Sequence, residues 1–106
     1  NRYVKKAIEY IEQNYANPNL SIYEIASYLE ISEGHISRLF HKETNYTLAG
    51  YITSIRLENA KKLLCKNNYR ISEAAEQTGY TSVAYFSSLF KKRYGLTPSE
   101  YQNQNL

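Results

Sequence analysis

The chain contains no tryptophan, no methionine and no aspartate, and only one cysteine, two prolines and four glycines among its 106 residues. So few prolines and glycines favour a helical chain over a turn-rich β protein. The single Cys65 cannot form an intrachain disulfide, which fits a reducing cytosol, and we expect it to be an inert packing residue rather than a redox switch. No apolar run approaches the roughly 20 residues of a membrane span, and no signal-peptide pattern opens the chain. We therefore predict a cytoplasmic protein without a membrane partner.

The absence of methionine also means that Asn1 is not a translation start, so we expect the chain to be a fragment of a longer protein. Its length suits a single domain. The net charge of +3 is unevenly distributed, because residues 1–53 contain five Lys or Arg and six Glu, whereas residues 54–106 contain eight Lys or Arg and four Glu. The basic triplet Lys91-Lys92-Arg93 lies in the second half. This asymmetry indicates a polyanionic partner contacted from one face, and a solvated helix face is the alternative.

The sequence repeats itself at an offset of fifty residues. Residues 32–47 and 82–97 are identical at six of sixteen positions. A shorter match aligns residues 22–26 with 71–75 at an offset of forty-nine, and the change of offset falls where a turn is expected. Each copy reads as a short helix, a tight turn and a longer helix, so the repeat predicts two equivalent binding elements in one molecule.

The spacing of apolar residues predicts seven helices and no strand. The first helix is expected over about residues 2–15, and a long central helix over about 48–65. Helix starts are expected at four hydroxyl residues, Ser21, Ser32, Ser82 and Thr97. Asn45 and Gly95 are expected to end helices in the left-handed conformation. The predicted fold is therefore all-α, with a first helix-turn-helix subdomain at about 1–46, a linker helix at 47–66 and a second subdomain at 67–106.

Several blocks occur in a distinctive order: IYEIASYLEIS with ISRLFHKET, then YITSIRLENAKKLL, then ISEAAEQTGY with YFSSLFKKRYGLTPSEY. In this order and spacing the chain resembles, over essentially its whole length, the DNA-binding domain of the AraC/XylS family of bacterial transcription regulators. The second half is the more specific part of the match. There Gly79-Tyr80, Tyr85-Phe86, Gly95 and the run from Thr97 to Tyr101 lie at the family's spacing.

The resemblance implies two helix-turn-helix units joined by a long central helix. It implies that the second helix of each unit enters the major groove of double-stranded DNA, in successive grooves, to regulate transcription. RNA polymerase and an N-terminal sensor or receiver domain are the further partners that it implies. The chain departs from the family pattern in three places: Asn45 replaces a usual Gly, Leu48-Ala49-Gly50 replaces a Ser/Pro-containing helix opening, and Ser88 replaces a frequent Arg.

The first predicted recognition helix buries positions 36, 39 and 40, which turns the opposite face outward. The DNA-contacting residues predicted on it are Gly34, His35, Ser37, Arg38 and His41. Arg38 is expected to bind guanine through two hydrogen bonds, and a surface ion pair with Glu33 or Glu43 is the alternative. Gly34 is expected to permit close backbone approach. For His35, a phosphate contact and a half-buried structural position both remain open.

The DNA-contacting residues predicted on the second recognition helix are Ser82, Ala84, Ser87, Ser88, Lys91 and Lys92. Ala84 is expected to touch a thymine methyl group, and the two serines at 87 and 88 to reach bases or phosphates through water. The lysines are expected to contact phosphates, which gives affinity without sequence information. Tyr85 is expected to pack in the core, Val83 is a further core candidate, and Arg56 is expected to serve an internal ion pair.

Two other classes of function have less support. A helical protein-interaction module would need an exposed apolar groove, whereas the apolar residues here are accounted for by the helix stripes. An enzyme would need a catalytic motif, and the sequence contains no HExxH, Walker A loop, Cys/His pair or paired acidic motif. His35 and His41 lie six residues apart without a Cys or acidic cluster at ligand spacing. We therefore predict no enzymatic activity, no cofactor and no bound metal.

Overall fold

A computed structural model describes residues 1–66 and 69–105 of the chain. These residues form seven helices and no strand, which confirms the all-α prediction. The helices are α1 (Arg2–Asn14), α2 (Ile22–Leu29), α3 (Glu33–Thr44), α4 (Leu48–Lys66), α5 (Ile71–Gln77), α6 (Val83–Tyr94) and α7 (Pro98–Gln104). None of these helices combines the length and the apolar character needed to cross a bilayer. Residue 67, where we predict the second subdomain to begin, lies outside the described residues.

The predicted hydroxyl caps are present at the helix starts. The Oγ atoms of Ser21, Ser32 and Ser82 each accept a hydrogen bond from the backbone amide three residues later, at 3.0–3.1 Å. Thr97 forms a complete capping box with Glu100, since each residue's amide donates to the other's side chain. These bonds satisfy amides that lack a partner within the helix and fix where each helix begins.

Left-handed residues end the two longer helices of the repeat. Asn45 follows α3 with φ 64°, and Gly95 follows α6 with φ 79°. Each amide donates to the carbonyl four residues earlier, at 2.9 Å for Asn45 and 2.7 Å for Gly95. Residue type predicts both stops, because Gly and Asn tolerate positive φ better than other residues. A further left-handed residue, Glu30 with φ 59° at the end of α2, has no such signal in its side chain.

The chain divides into two compact units, residues 1–55 and 56–106, each with its own apolar core. In the first unit α1 packs on α2 and α3. The largest fully buried side chains there are Ile11, Ile25, Ile36, Phe40 and Leu48. In the second unit α5 and α7 pack on α6. Its largest fully buried side chains include Leu57, Leu64, Phe86 and Phe90. The dividing point falls within α4, so this helix supplies core residues to both units.

The expectation that Cys65 packs in the core is wrong, because this residue is exposed. Its helical neighbour Leu64 is fully buried and is the residue that α4 turns inward at this point. A helix rotates by about 100° per residue, so adjacent side chains in an apolar run cannot all face one core.

Replacing Gly95 by Ala should lower the free energy of unfolding of the second unit by about 1 kcal/mol, because an L side chain at φ 79° is strained. The new Cβ would meet no atom within 4 Å, so the cost is conformational rather than steric. Asn45→Gly should instead raise the free energy of unfolding, since it removes the strain of a non-glycine residue in the left-handed conformation. Urea unfolding followed by circular dichroism measures both. A Gly95→Ala variant as stable as the parent chain would contradict this account of the helix end.

Candidate functional site

Helices α3 and α6 are built to the same plan in the two units. Each has twelve residues, a serine cap at its start and a left-handed residue after its end. Across residues 32–45, every position is buried, half-buried or exposed in the same way as its counterpart fifty residues later. The repeat found in the sequence is therefore a repeat of surface as well as of backbone, and it holds over fourteen consecutive positions.

Two buried side chains, one helical turn apart, set the rotation of each of these helices. They are Ile36 and Phe40 in α3, and Phe86 and Phe90 in α6, and all four are fully buried. Because the buried residues are four apart, they lie on one face and fix which side chains point away from the core. The two outward faces are the candidate functional site.

The first outward face contains all five residues predicted on α3. Gly34, His35, Arg38 and His41 are exposed, and Ser37 is half-buried. Among the described residues Arg38 forms no ion pair with Glu33 or Glu43, so the alternative of a surface ion pair is not realised. The Arg38 guanidinium lies over Gly34, since a Cβ atom there would be 3.1 Å from Nη1. Gly34 thus leaves room for the guanidinium one turn above it.

His35 is exposed, so the alternative of a half-buried structural histidine is wrong. Its ring lies beside that of Tyr3 in α1, with the ring centroids 6.0 Å apart and the planes at 57°. The described part of the chain contains no group of three His, Cys, Asp or Glu side chains that could hold a metal ion.

The second outward face contains the six residues predicted for α6 and its cap. Ser82, Ala84, Ser88, Lys91 and Lys92 are exposed, and Ser87 is half-buried. The Ser82 hydroxyl accepts a hydrogen bond from the Tyr85 amide at 3.1 Å, so its first role is to cap the helix. Ser88 is the counterpart of Arg38, so this face has a short side chain at the position where α3 has a guanidinium.

The predictions that Tyr85 and Val83 belong to the core are wrong, because these residues are 59% and 42% exposed. Phe86 and Phe90 already fill the inward face, and Tyr85 lies about 100° around the helix from Phe86. The Tyr85 ring stands beside that of Tyr80, with the centroids 6.3 Å apart. Aligning the two copies of the repeat could have revealed this exposure, since Tyr85 is the counterpart of the polar residue His35.

The last turns of the two helices differ sharply in charge. In α3 the last turn contains His41 and Lys42, followed by Glu43, whereas the last turn of α6 contains three consecutive cations. Hydrogen bonds from Thr97, with the nearby charge of Lys91, hold the pKa of the Glu100 carboxyl below its usual value. The Arg93 guanidinium lies 5.8 Å from the centre of the Tyr94 ring. Lys92 is exposed beside them, so the end of α6 is strongly positive.

Arg56 is a half-buried residue of α4 in the second unit, and it is not part of the outward face of α6. Its guanidinium is 5.6 Å from the centre of the Tyr80 ring, and burial lowers its pKa. A guanidinium placed over a tyrosine face is held by the ring's negative charge distribution.

A family model described as a helix-turn-helix domain matches residues 25–104 of the chain. The chain is 36% identical over 104 residues to the transcriptional regulatory protein YesN of Bacillus subtilis, covering 95% of this chain and 28% of that protein. It is 33% identical over 102 residues to the xylose operon regulatory protein of Escherichia coli, and this match covers 96% of this chain and 26% of that protein. Among solved structures, the C-terminal domain of AraT, a response regulator from Geobacillus stearothermophilus, is 31% identical with a TM-score of 0.97, over 100% of this chain and 88% of that one. The chain thus spans about a quarter of the length of these two curated relatives.

Proposed function

The chain belongs to the AraC-type family of helix-turn-helix domains, which bind DNA in regulators of transcription, and we propose how its two units divide that task. In this proposal α3 and α6 are the recognition helices. They enter successive major grooves on one face of double-stranded DNA, about 34 Å apart. One chain then covers two turns of DNA, where a protein with a single recognition helix would need to dimerise.

The observation that supports this proposal is the identical plan of α3 and α6. Two helices with the same caps, the same buried pair and the same pattern of exposure present two equivalent outward faces. Neither face is needed for the core of its unit, since the buried pair lies on the other side of the helix. A duplicated polar helix face suits a ligand that is itself repeated, and B-DNA offers the same groove at each turn.

The two faces have different chemistry, and we propose that they have different tasks. Arg38 on α3 can donate two hydrogen bonds to the O6 and N7 atoms of a guanine, which distinguishes this base from the others. Helix α6 has Ser88 at the position that matches Arg38, but its last turn contains the exposed Lys91 and Lys92. Lysines on phosphates hold the duplex without reading it. The first unit therefore contributes more to specificity, and the second more to affinity.

We further propose that the domain works within a longer regulator in the bacterial cytoplasm, where the chromosome lies. The supporting fact is that the YesN and xylose operon relatives are about four times as long as this chain. The additional length would hold a sensor or receiver domain, and RNA polymerase would be the partner through which transcription changes. The family consists of DNA-binding domains rather than enzymes, so the chain itself needs no catalytic residue.

Binding of the chain to duplex DNA should weaken steeply with salt, because lysines on phosphates release counterions. Lys91→Ala with Lys92→Ala should lower affinity for all sequences and reduce the log–log salt slope by up to about 0.9 for each phosphate that is no longer neutralised. Fluorescence anisotropy between 50 and 200 mM salt, a range over which such slopes are resolved, measures both. The matched control is Lys5→Ala with Lys6→Ala, which removes the same charge from α1. An equal change of slope in that control would place the phosphate-binding lysines elsewhere, and salt-independent binding would refute the proposed function.

Arg38→Ala should weaken binding to the preferred site by about 1–3 kcal/mol while leaving binding to random DNA nearly unchanged. Arg38→Lys is the matched control, because it keeps the charge but loses the planar pair of donors. If Arg38 reads a base, the lysine variant should lose specificity almost as fully as the alanine variant. A lysine variant that keeps full specificity, or an equal loss on random DNA, would show that Arg38 contacts phosphate instead.

The two half-sites should differ in their tolerance of base changes. Under α3, changes at the base pair read by Arg38 should cost about 1–3 kcal/mol, whereas the half-site under α6 should vary more freely. Affinities for a panel of single-base variants across both half-sites measure this directly. Larger penalties under α6 would mean that Ala84, Ser87 or Ser88 read bases more strictly than their small size suggests.

A further inference from the structure

Both recognition helices have an exposed ring at the same position in their first turn. His35 in α3 and Tyr85 in α6 are the third residues of their helices and fifty residues apart in the repeat. Both are exposed, and Tyr85 leaves 59% of its surface open to solvent. Each ring offers a hydrogen-bond donor at its tip, an imidazole N–H or a phenolic O–H.

Each exposed ring stands against a second ring, and the two supporting rings come from different places in the fold. Tyr3 of α1 lies beside His35 at 6.0 Å, while Tyr80, from the turn before α6, lies beside Tyr85 at 6.3 Å. Duplication of the helix pair therefore does not explain the arrangement, because the supporting residues are not counterparts in the repeat. The two units reach the same result by separate means.

The support in the second unit is rigid. Tyr80 is 8% exposed, packs against Phe86 with ring centroids 5.4 Å apart, and lies under the Arg56 guanidinium. A side chain that is already held loses less freedom on binding, which strengthens a complex by a factor of a few to about ten. Arg56 and Phe86 thus hold the Tyr80 ring, and Tyr80 is the buried ring that Tyr85 lies beside.

The helix positions of these rings suit the wall of the groove rather than its floor. Arg38 and its counterpart Ser88 lie on the stripe that faces the bases in the proposed complex. Positions 35 and 85 lie about 60° to one side of that stripe, since residues three apart on a helix differ by about 300° around its axis. Phosphate oxygens lie along that wall and accept hydrogen bonds from side chains such as Tyr.

We propose that His35 and Tyr85 are equivalent phosphate-contacting residues, one in each unit, and that Tyr3 and Tyr80 are the positioning residues that hold their rings. The proposal rests on the proposed function, because it needs α3 and α6 in the grooves. It adds a contact to each half-site that is independent of base sequence and of net charge. Tyr85 in particular contributes an uncharged hydrogen bond to the half-site under α6, the recognition helix that has Ser88 in place of an arginine.

Tyr85→Phe and His35→Phe test the proposal, because each keeps a ring but removes its donor. Each should weaken binding about tenfold on specific and random duplexes alike. Tyr23→Phe is the matched control, since it removes a phenol from a residue that is 69% exposed on α2 and should leave affinity unchanged. Unchanged affinity in either test variant would overturn the proposal.

A second measurement assigns the contact to a phosphate. Duplexes with one methylphosphonate, placed in turn at each phosphate, remove a single negative charge and its acceptor strength. One such substitution should weaken binding of the parent chain and have little effect on Tyr85→Phe, because the two changes remove the same interaction. Additive losses at every phosphate would refute a Tyr85–phosphate contact. If the parent chain itself shows no salt-dependent binding to unmodified duplex, the proposed function fails, which is a different result.

The positioning role has its own readout. Tyr3→Leu should have a thermal unfolding temperature close to that of the parent chain but should bind DNA more weakly. A methylphosphonate at the phosphate that His35 contacts should also weaken binding of this variant less than it weakens binding of the parent chain. Tyr80→Leu should act likewise at the Tyr85 contact, but Tyr80 is buried and its loss could unfold the second unit. The half-buried Tyr3 therefore gives the cleaner result. If a folded Tyr3→Leu variant loses as much affinity to that methylphosphonate as the parent chain does, the Tyr3 ring has no positioning role.

Discussion

The arrangement of each unit depends on one constraint, the burial of two side chains four residues apart on the second helix of the repeat. Ile36 with Phe40, and Phe86 with Phe90, are withdrawn from solvent completely. Burial of a side chain of this size contributes about 1.5–3 kcal/mol, so rotating either helix away from its core would cost several kcal/mol. That cost fixes the rotation of α3 and α6, and it therefore fixes the direction of every exposed residue on them, including those available to contact a ligand.

Because the frame depends on buried positions, the exposed ones are free to differ between the units. Six identities remain between residues 32–47 and 82–97, and two of them are Leu39/Leu89 and Phe40/Phe90 on the inward side. On the outward side Arg38 corresponds to Ser88, and Glu43 to Arg93. The substitutions change charge and size but not burial, since the exposure pattern is the same over fourteen positions. A duplicated frame can therefore acquire two different surfaces at little cost in stability.

The helices, their caps and their left-handed ends could be predicted from the sequence because those features depend on local chemistry, as at Ser32, Asn45 and Gly95. The predicted contact residues lie on the outward faces because the apolar spacing of α3 and α6 is regular. Prediction failed at Tyr85 and Cys65, where residue type alone favoured the core. Core space is limited, and neighbours such as Phe86 and Leu64 already occupy it. That competition is a tertiary property, which residue type does not reveal.

The difference in charge between the units sets how each would hold a polyanion. Residues 1–55 contain five Lys or Arg against six Glu, and residues 56–106 contain eight against four. Attraction to phosphates is therefore concentrated in the second unit, where it acts over about 10 Å at 0.1 M salt and falls as salt rises. A guanidinium that hydrogen-bonds a base edge acts only at contact and depends on geometry. In the proposed complex the long-range attraction would act mainly on the second unit, and the contact made by Arg38 in the first unit would distinguish one DNA sequence from another.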